Sequence, residues 1–327
     1  MSTKLVSWLY HKLDLFFVWK YLAQVTLYGD PLMKRNSLII VLVLLLPVLL
    51  VAQEFKQSAG QISIWDLLLV PKYIVGFVLA ILQILLLLNK RINISVRIVF
   101  LFLAFVFFGI YFPMHPSPIC AVTKPFIYGF KIPFVAAFSF IGLLSIVGSK
   151  GFCGTICPAG ALQELFYSLP FFKNLKKKKV SFLISNSVRI SVAIIFFVFV
   201  FSTGITIFAY FSLFELFHWS FDLPLIYLVI FILSLVIILS TSLFMYRPFC
   251  YFVCPVGLIS WLLEQVSPLK IRYDKDKCTS CGICETEAPC PSVSEILKEK
   301  KIVADCHLCG VCINSCPENA IKFGLKK

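Results

Sequence analysis

Polar surface is scarce in this sequence. Charged residues fill 14% of its 327 positions against 60% hydrophobic, and the mean hydropathy is +0.93. Such a chain has too little polar area to cover itself, which excludes a wholly soluble protein and places most of it in lipid. Acidic residues are also few, 16 against 30 Lys and Arg. The net charge of +14 does not read as nucleic-acid binding, because the basic residues sit between apolar runs and no aromatic-and-basic groove interleaves them. Histidine is scarcer still. The four are His11, His115, His218 and His307, none at a depth where a membrane haem takes axial ligands, so no haem is expected. There is no glycine-rich phosphate loop, nucleophile–base pair or general-acid pair, and no catalytic residue is assigned. The N-terminus, with Lys4 and Lys12, lacks the apolar core and cleavage site of a signal peptide.

What the sequence has in quantity is apolar runs. Six are long enough, with their flanks, to read as membrane helices: 37–53, 67–88, 95–113, 132–148, 187–210 and 223–245. Residues 1–36 read as a cytoplasmic arm. Trp8, Leu9, Leu13, Phe16 and Phe17 lie among its lysines at spacings that suit an interfacial helix, and a partly ordered arm is the other reading. Placing both termini inside puts 25 Lys and Arg on the inner side and four, Lys56, Lys72, Lys124 and Lys131, on the outer. That bias predicts a multi-pass protein of the inner (cytoplasmic) membrane with both ends in the cytoplasm. Arg189, near the inner end of the fifth helix, is expected to snorkel, and Gln83 to pack. Trp65 and Trp219 fall at the outer interface, and Trp8, Trp19 and Trp261 near the inner one.

Thirteen cysteines stand out, twelve of them in motifs and Cys120 alone. Cys153-Gly-Thr-Ile-Cys157-Pro-Ala-Gly and Cys250-Tyr-Phe-Val-Cys254-Pro-Val-Gly share the pattern C-x-x-x-C-P-x-G and lie 97 residues apart. The same shift carries 132–148 onto 229–245 and 95–113 into the fifth run. The repeating unit is therefore helix, outer loop, helix, inner cysteine hairpin. Two helices per unit preserve sidedness, and a pseudo-twofold along the membrane normal would bring the hairpins together. Pro158 and Pro255 suit the first turn of a following helix. Gly160 and Gly257 allow close backbone approach. Lys150 and Arg247 each stand three residues before a first cysteine, where they either offset the charge of a metal site or mark the inner face.

From Pro268 the chain turns polar. Cys278-x-x-Cys281-x-x-Cys284 precedes Cys290-Pro291, and Cys306-x-x-Cys309-x-x-Cys312 precedes Cys316-Pro317. This is the bacterial ferredoxin pattern for two [4Fe–4S] clusters, in which the fourth cysteine of each run serves the other cluster. It groups Cys278, Cys281, Cys284 and Cys316, and separately Cys306, Cys309, Cys312 and Cys290. Structural zinc is the rival for such four-thiolate sets. Twelve motif cysteines make three sets of four, so Cys153, Cys157, Cys250 and Cys254 read as holding a third cluster through iron. A thiol–disulfide pair, a copper or zinc site and plain packing are the alternatives there. His115, Cys120, Glu215, His218 and Asp222 gather on outer loops, as a quinone or partner site or as ordinary solvated polar residues.

These hairpins followed by the paired runs resemble the NapH/MauN-type membrane polyferredoxins, relatives of NosR and CcoG, over about 95–327. The resemblance implies electron transfer between a quinone pool and other redox subunits. NapH-like members have four helices, so the first two here are additional. The outer loops are too short for the flavin domain of NosR, and no immunoglobulin-like domain follows the clusters as in CcoG. The expected architecture is an all-α membrane bundle of six helices with an internal parallel repeat and a small C-terminal α+β ferredoxin-like domain. Its parts are the arm 1–36, two added helices in 37–94, duplicated units in 95–269 and the ferredoxin domain in 270–327. The expected function is an iron–sulfur electron-transfer subunit contacting lipid, quinone and partner redox subunits, with no nucleic acid. An accessory reductase that matures another metalloenzyme is the alternative.

Overall fold

The computed structural model describes residues 71–325 apart from 113, 115–116, 129–131, 171–175, 177–178, 204–213, 215–224 and 299–304. The arm, the first apolar run, His11, His115, Glu215, His218, Asp222, Trp8, Trp19, Trp65 and Trp219 lie outside the described residues.

The protein is mostly helical. Helix α1 (Pro71–Leu88) is followed by α2 (Ile94–Phe105), which continues as a π-helical stretch through Tyr111. Helices α3 (Pro118–Tyr128) and α4 (Ile132–Val147) lead to the first hairpin, a π-helical turn at Phe152–Ile156, and then to α5 (Pro158–Ser168). The second half repeats the plan with α6 (Phe182–Thr203), α7 (Leu225–Ser242), the short α8 (Pro248–Phe252) and α9 (Pro255–Glu264). Each hairpin is followed by a helix that starts at its Cys-Pro proline, where a fixed φ and a missing N–H cost nothing. Two helical stretches, Ile94–Tyr111 and Phe182–Thr203, are long and apolar enough to cross a membrane; Lys72–Leu88, Pro133–Val147 and Leu228–Ser242 are apolar but shorter.

Helix α3 falls where the sequence reads as a loop. Its prolines argue against helix, yet Ser117 accepts from the Cys120 N–H at 3.3 Å and Pro118 takes the first helical position. Ser-Pro was a legible helix start. Helix α6 begins five residues before the expected 187, because Phe182 packs at 5.9 Å on Trp261.

The tail closes with an antiparallel pair, β1 (Leu269–Tyr273) and β2 (Ile321–Leu325), in which Ile271 faces Phe323. Short helices α10 (Ile283–Glu287), α11 (Ser292–Leu297) and α12 (Val311–Asn314) lie between. Gly282 and Gly310 each follow a cysteine and adopt φ +73° and +76°, the left-handed turn that glycine permits. The tail packs directly on the helical part. Leu87, Ile92, Tyr246 and Tyr251 of the helical part share one core with Cys284, Cys290, Cys306, Cys312, Ile313 and Phe323. Gly154 touches the loop between Cys306 and Cys309 so closely that a Cβ there would stand 2.6 Å from the His307 carbonyl oxygen.

Gly154→Ala is therefore expected to lower stability by about 1–3 kcal/mol, since backbone opposes backbone and neither can yield. Gly142→Ala, whose Cβ would meet Leu263 Cδ1 at 3.7 Å, should be near neutral. Thermal unfolding of the detergent-solubilised protein compares the two. Equal melting temperatures would refute the close packing.

Candidate metal centre

The two hairpins meet. All four of their sulfurs are buried, and Cys153, Cys157, Cys250 and Cys254 interact electrostatically with one another across the halves. Gly257 lets α9 approach the Cys250 carbonyl, where a Cβ would stand 2.8 Å away. Gly160 does the same beside the Cys153 carbonyl, at 3.2 Å. Burial pushes all four thiols up, Cys250 to about 11, so holding them as thiolates requires a metal or nearby cations.

Cations are there. Lys150 and Arg247 are repeat equivalents, both fully buried and both in the left-handed region at φ 68° and 48°. A non-glycine residue gives up about 1–2 kcal/mol in that conformation, so the ion pairs must hold it. Arg247 donates to the Cys153 carbonyl at 2.5 Å and to Glu164 at 2.5 and 2.8 Å. Arg97 forks onto the same carboxylate at 2.8 and 3.0 Å and reaches the Gly154 carbonyl at 2.7 Å. Burial alone would raise Glu164, but Arg97 and Arg247 outweigh it and hold the carboxyl at about 2. Tyr246 Oη adds a hydrogen bond at 2.8 Å.

The tail supplies the other carboxylate. Asp305 pairs with Lys150 and, at 2.6 Å, with Arg189. Despite full burial its carboxyl is held well below the usual range by those two cations. Arg189 therefore does not snorkel. It is buried, faces Asp305, and donates to the Cys250 carbonyl at 3.3 Å. Gln83 is likewise more than packing, since its Nε2 donates to the Leu308 carbonyl at 2.9 Å. Trp261 lies under the Arg189 guanidinium at 5.8 Å. His307 is kept neutral by burial beside Lys150, and its Nδ1 lies 3.2 Å from Tyr251 Oη. Burial beside Asp305 pushes Glu264 up to about 8, leaving it mostly uncharged at pH 7. Around the hairpins, then, stand four cations (Arg97, Lys150, Arg189, Arg247) and two charged carboxylates (Glu164, Asp305). Sequence reasoning missed Glu164 and Asp305 as partners because no local spacing links them to the residues they meet.

In the tail, Cys278, Cys281, Cys284 and Cys316 border one cavity of about 230 Å³. It is far larger than the roughly 30 Å³ of one water, and its lining carries the four thiols beside the carboxylates Glu285 and Glu318. Cys281 at its rim is exposed. Cys309 hydrogen-bonds Cys290, and Cys306 interacts with Cys309 and Cys312, all four buried. Among the described residues no three His, Cys, Asp or Glu side chains converge closely enough to share a single ion. Cys278, Cys281, Cys284 and Cys316 stand around a common space, an arrangement that suits the corners of a multinuclear cluster. Cys120 lies on α3, partly buried and outside all three sets.

The family described as "4Fe-4S binding domain" matches twice, at residues 130–179 and 227–273, with starts 97 residues apart. A second family of the same description matches 300–322. "Uncharacterized protein MJ0749" of Methanocaldococcus jannaschii is 30% identical over 211 residues, covering 63% of this chain and 77% of the relative. The chain belongs to that protein's family, a family of 4Fe–4S-binding proteins. "Uncharacterized protein MJ0750" of the same organism is 27% identical over 193 residues, 58% of this chain and 78% of that one. "Putative electron transport protein YccM" of Escherichia coli is 31% identical over 100 residues, 29% of this chain and 27% of that one. No solved structure matches. The matched families make the protein one that carries iron–sulfur binding domains.

Glu164→Leu should cost about 3–5 kcal/mol, because it leaves two buried guanidiniums without a carboxylate. Adding Arg97→Met should return part of that loss. Chemical denaturation of the single and double variants reads the coupling, and strictly additive effects would contradict the shared site.

Proposed function

We propose that the protein is a membrane-bound electron-transfer subunit with three iron–sulfur sites, two in the tail and the third held by Cys153, Cys157, Cys250 and Cys254. The observation that carries the third site is the meeting of four buried thiols from both halves beside four buried cations, Arg97, Lys150, Arg189 and Arg247, that outnumber the carboxylates paired with them. Buried cations are costly unless compensated, and an anionic thiolate-ligated centre compensates them. When bound, clusters at the three cysteine sets supply one-electron relay sites in a row, from the exposed rim at Cys281 through the Cys306 set to the hairpins. The chain's own residues hold that row in register. Asp305 locks the tail loop to Lys150 and Arg189, Tyr251 Oη donates to the Asp305 carbonyl at 3.0 Å, and Leu308, fully buried, excludes water.

Six spans with the tail in the cytoplasm remain our reading of the apolar runs and the 25-to-4 charge bias. In support, Ile74, Val78, Ile81, Leu85 and Leu88 form an exposed apolar stripe on α1, and Ile226, Val229, Leu233, Val236 and Ile237 one on α7. Continuous apolar faces of this kind fit lipid. We assign a quinone of the membrane pool, or an adjoining redox subunit, as the partner at the hairpin end. The NapH/MauN-type resemblance favours that assignment. A thiol–disulfide maturation role fits less well, because reactive thiols are accessible and acidified whereas these are buried with raised pKa.

Anaerobic iron and sulfide analysis of the purified protein should give about twelve irons, where two tail clusters alone give about eight. Cys153→Ser should lose about four of them and abolish menaquinol oxidation. Full iron content and activity in that variant would refute the third site.

A further inference from the structure

Resting on the reading that the hairpin cysteines hold a cluster, we propose that Gln163 and Ser260 are positioning residues that set its reduction potential. Each reaches across the repeat to a cysteine of the other half. Gln163 Nε2 lies 3.5 Å from Cys250 Sγ, and Ser260 Oγ lies 3.3 Å from Cys153 Sγ. Gln163 and Ser260 are 97 residues apart, as are Cys153 and Cys250. The two contacts are therefore one contact made twice with the halves exchanged.

The direction of the hydrogen bonds follows from the surroundings. The Phe249 N–H donates to Gln163 Oε1 at 2.9 Å, and one Gln163 amide proton goes to the Ala159 carbonyl at 2.9 Å. A flipped amide would set two donors against each other, so the second amide proton faces sulfur. The one Ser145 hydroxyl proton goes to the Ile141 carbonyl at 2.8 Å, so the Ser260 proton has two acceptors, Ser145 Oγ at 3.2 Å and Cys153 Sγ, and a thiolate at Cys153, the charged acceptor, takes it. Both side chains are fully buried, so water cannot take their place. The second cysteine of each hairpin is served differently. Cys157 receives the Gly160 N–H at 3.5 Å, whereas Cys254 caps its helix without a side-chain hydrogen bond. Each first cysteine thus takes a side chain from the opposite half, and neither second cysteine does.

A hydrogen bond to a ligating sulfur stabilises the more negative, reduced state over the oxidised one and raises the potential. Gln163→Leu and Ser260→Ala remove the donor while keeping approximate volume. In an EPR-monitored redox titration with dithionite, each is expected to shift the hairpin signal's midpoint negative. The expected shift is about tenfold in the oxidised-to-reduced ratio, about 59 mV for a one-electron couple. The double variant should shift about twice as far, the tail signals should not move, and Ser260→Thr, which keeps the hydroxyl, should stay near native. Unchanged midpoints at full iron content overturn the proposal. Loss of the hairpin iron from both variants also overturns it, since the side chains would then serve retention and not tuning. A native protein with about eight irons removes the underlying three-site reading instead, and is told apart by the metal analysis alone.

Discussion

Between the hairpins and the tail loop, Arg97, Lys150, Arg189 and Arg247 meet Glu164 and Asp305 with almost no solvent exposure on any of them. Taking each such charge out of water costs several kcal/mol, and only a complete set of partners offsets it. The set draws on α2, the turn before the first hairpin, α5, α6, the turn before the second hairpin and the tail. No subset of these elements can form the arrangement alone. Hairpin geometry and tail docking are thus one cooperative event, which gives the carboxylates of Glu164 and Asp305 a structural reason to be where they are. It also explains why Lys150 and Arg247 tolerate left-handed backbone, since that conformation turns each side chain inward to its carboxylate.

The repeat is kept where chemistry needs two equal hands and abandoned where the tail breaks the symmetry. Cys153 and Cys250, Cys157 and Cys254, Pro158 and Pro255, Gly160 and Gly257, and the cations Lys150 and Arg247 are retained at the 97-residue offset. Glu164 pairs with Arg97 and Arg247, and its equivalent is Trp261, which instead packs against Phe182 and Arg189. Likewise Gly154 must be glycine against the His307 carbonyl, whereas its equivalent Tyr251 sends its hydroxyl to the Asp305 carbonyl. One tail loop thus meets two nearly equivalent sockets with different complementary parts.

This division also explains what could be read from the sequence. The cysteine motifs, the prolines that open α5 and α9 and the offset itself are local or periodic signals, and spacing exposes them. The Ser117-Pro118 start of α3 was equally local and was hidden by the neighbouring prolines. Arg189 and Gln83 could not be read in this way. Their partners, Asp305 and Leu308, lie 116 and 225 residues further along, and within its own helix each looks like a stray polar residue on an apolar run. Cys120 stayed unexplained in the structure as in the sequence.

The docking bears on orientation by a route separate from charge counting. The buried Asp305 side chain, paired with Lys150 and Arg189, ties the tail loop to the hairpins. The tail from Lys270 onward is charged and rich in cysteine, and nothing in it suits a lipid interior. The two hairpins are held together by contact with one tail. Tertiary contact keeps the tail with the hairpins, and charge distribution bears separately on which side of a membrane the two would share.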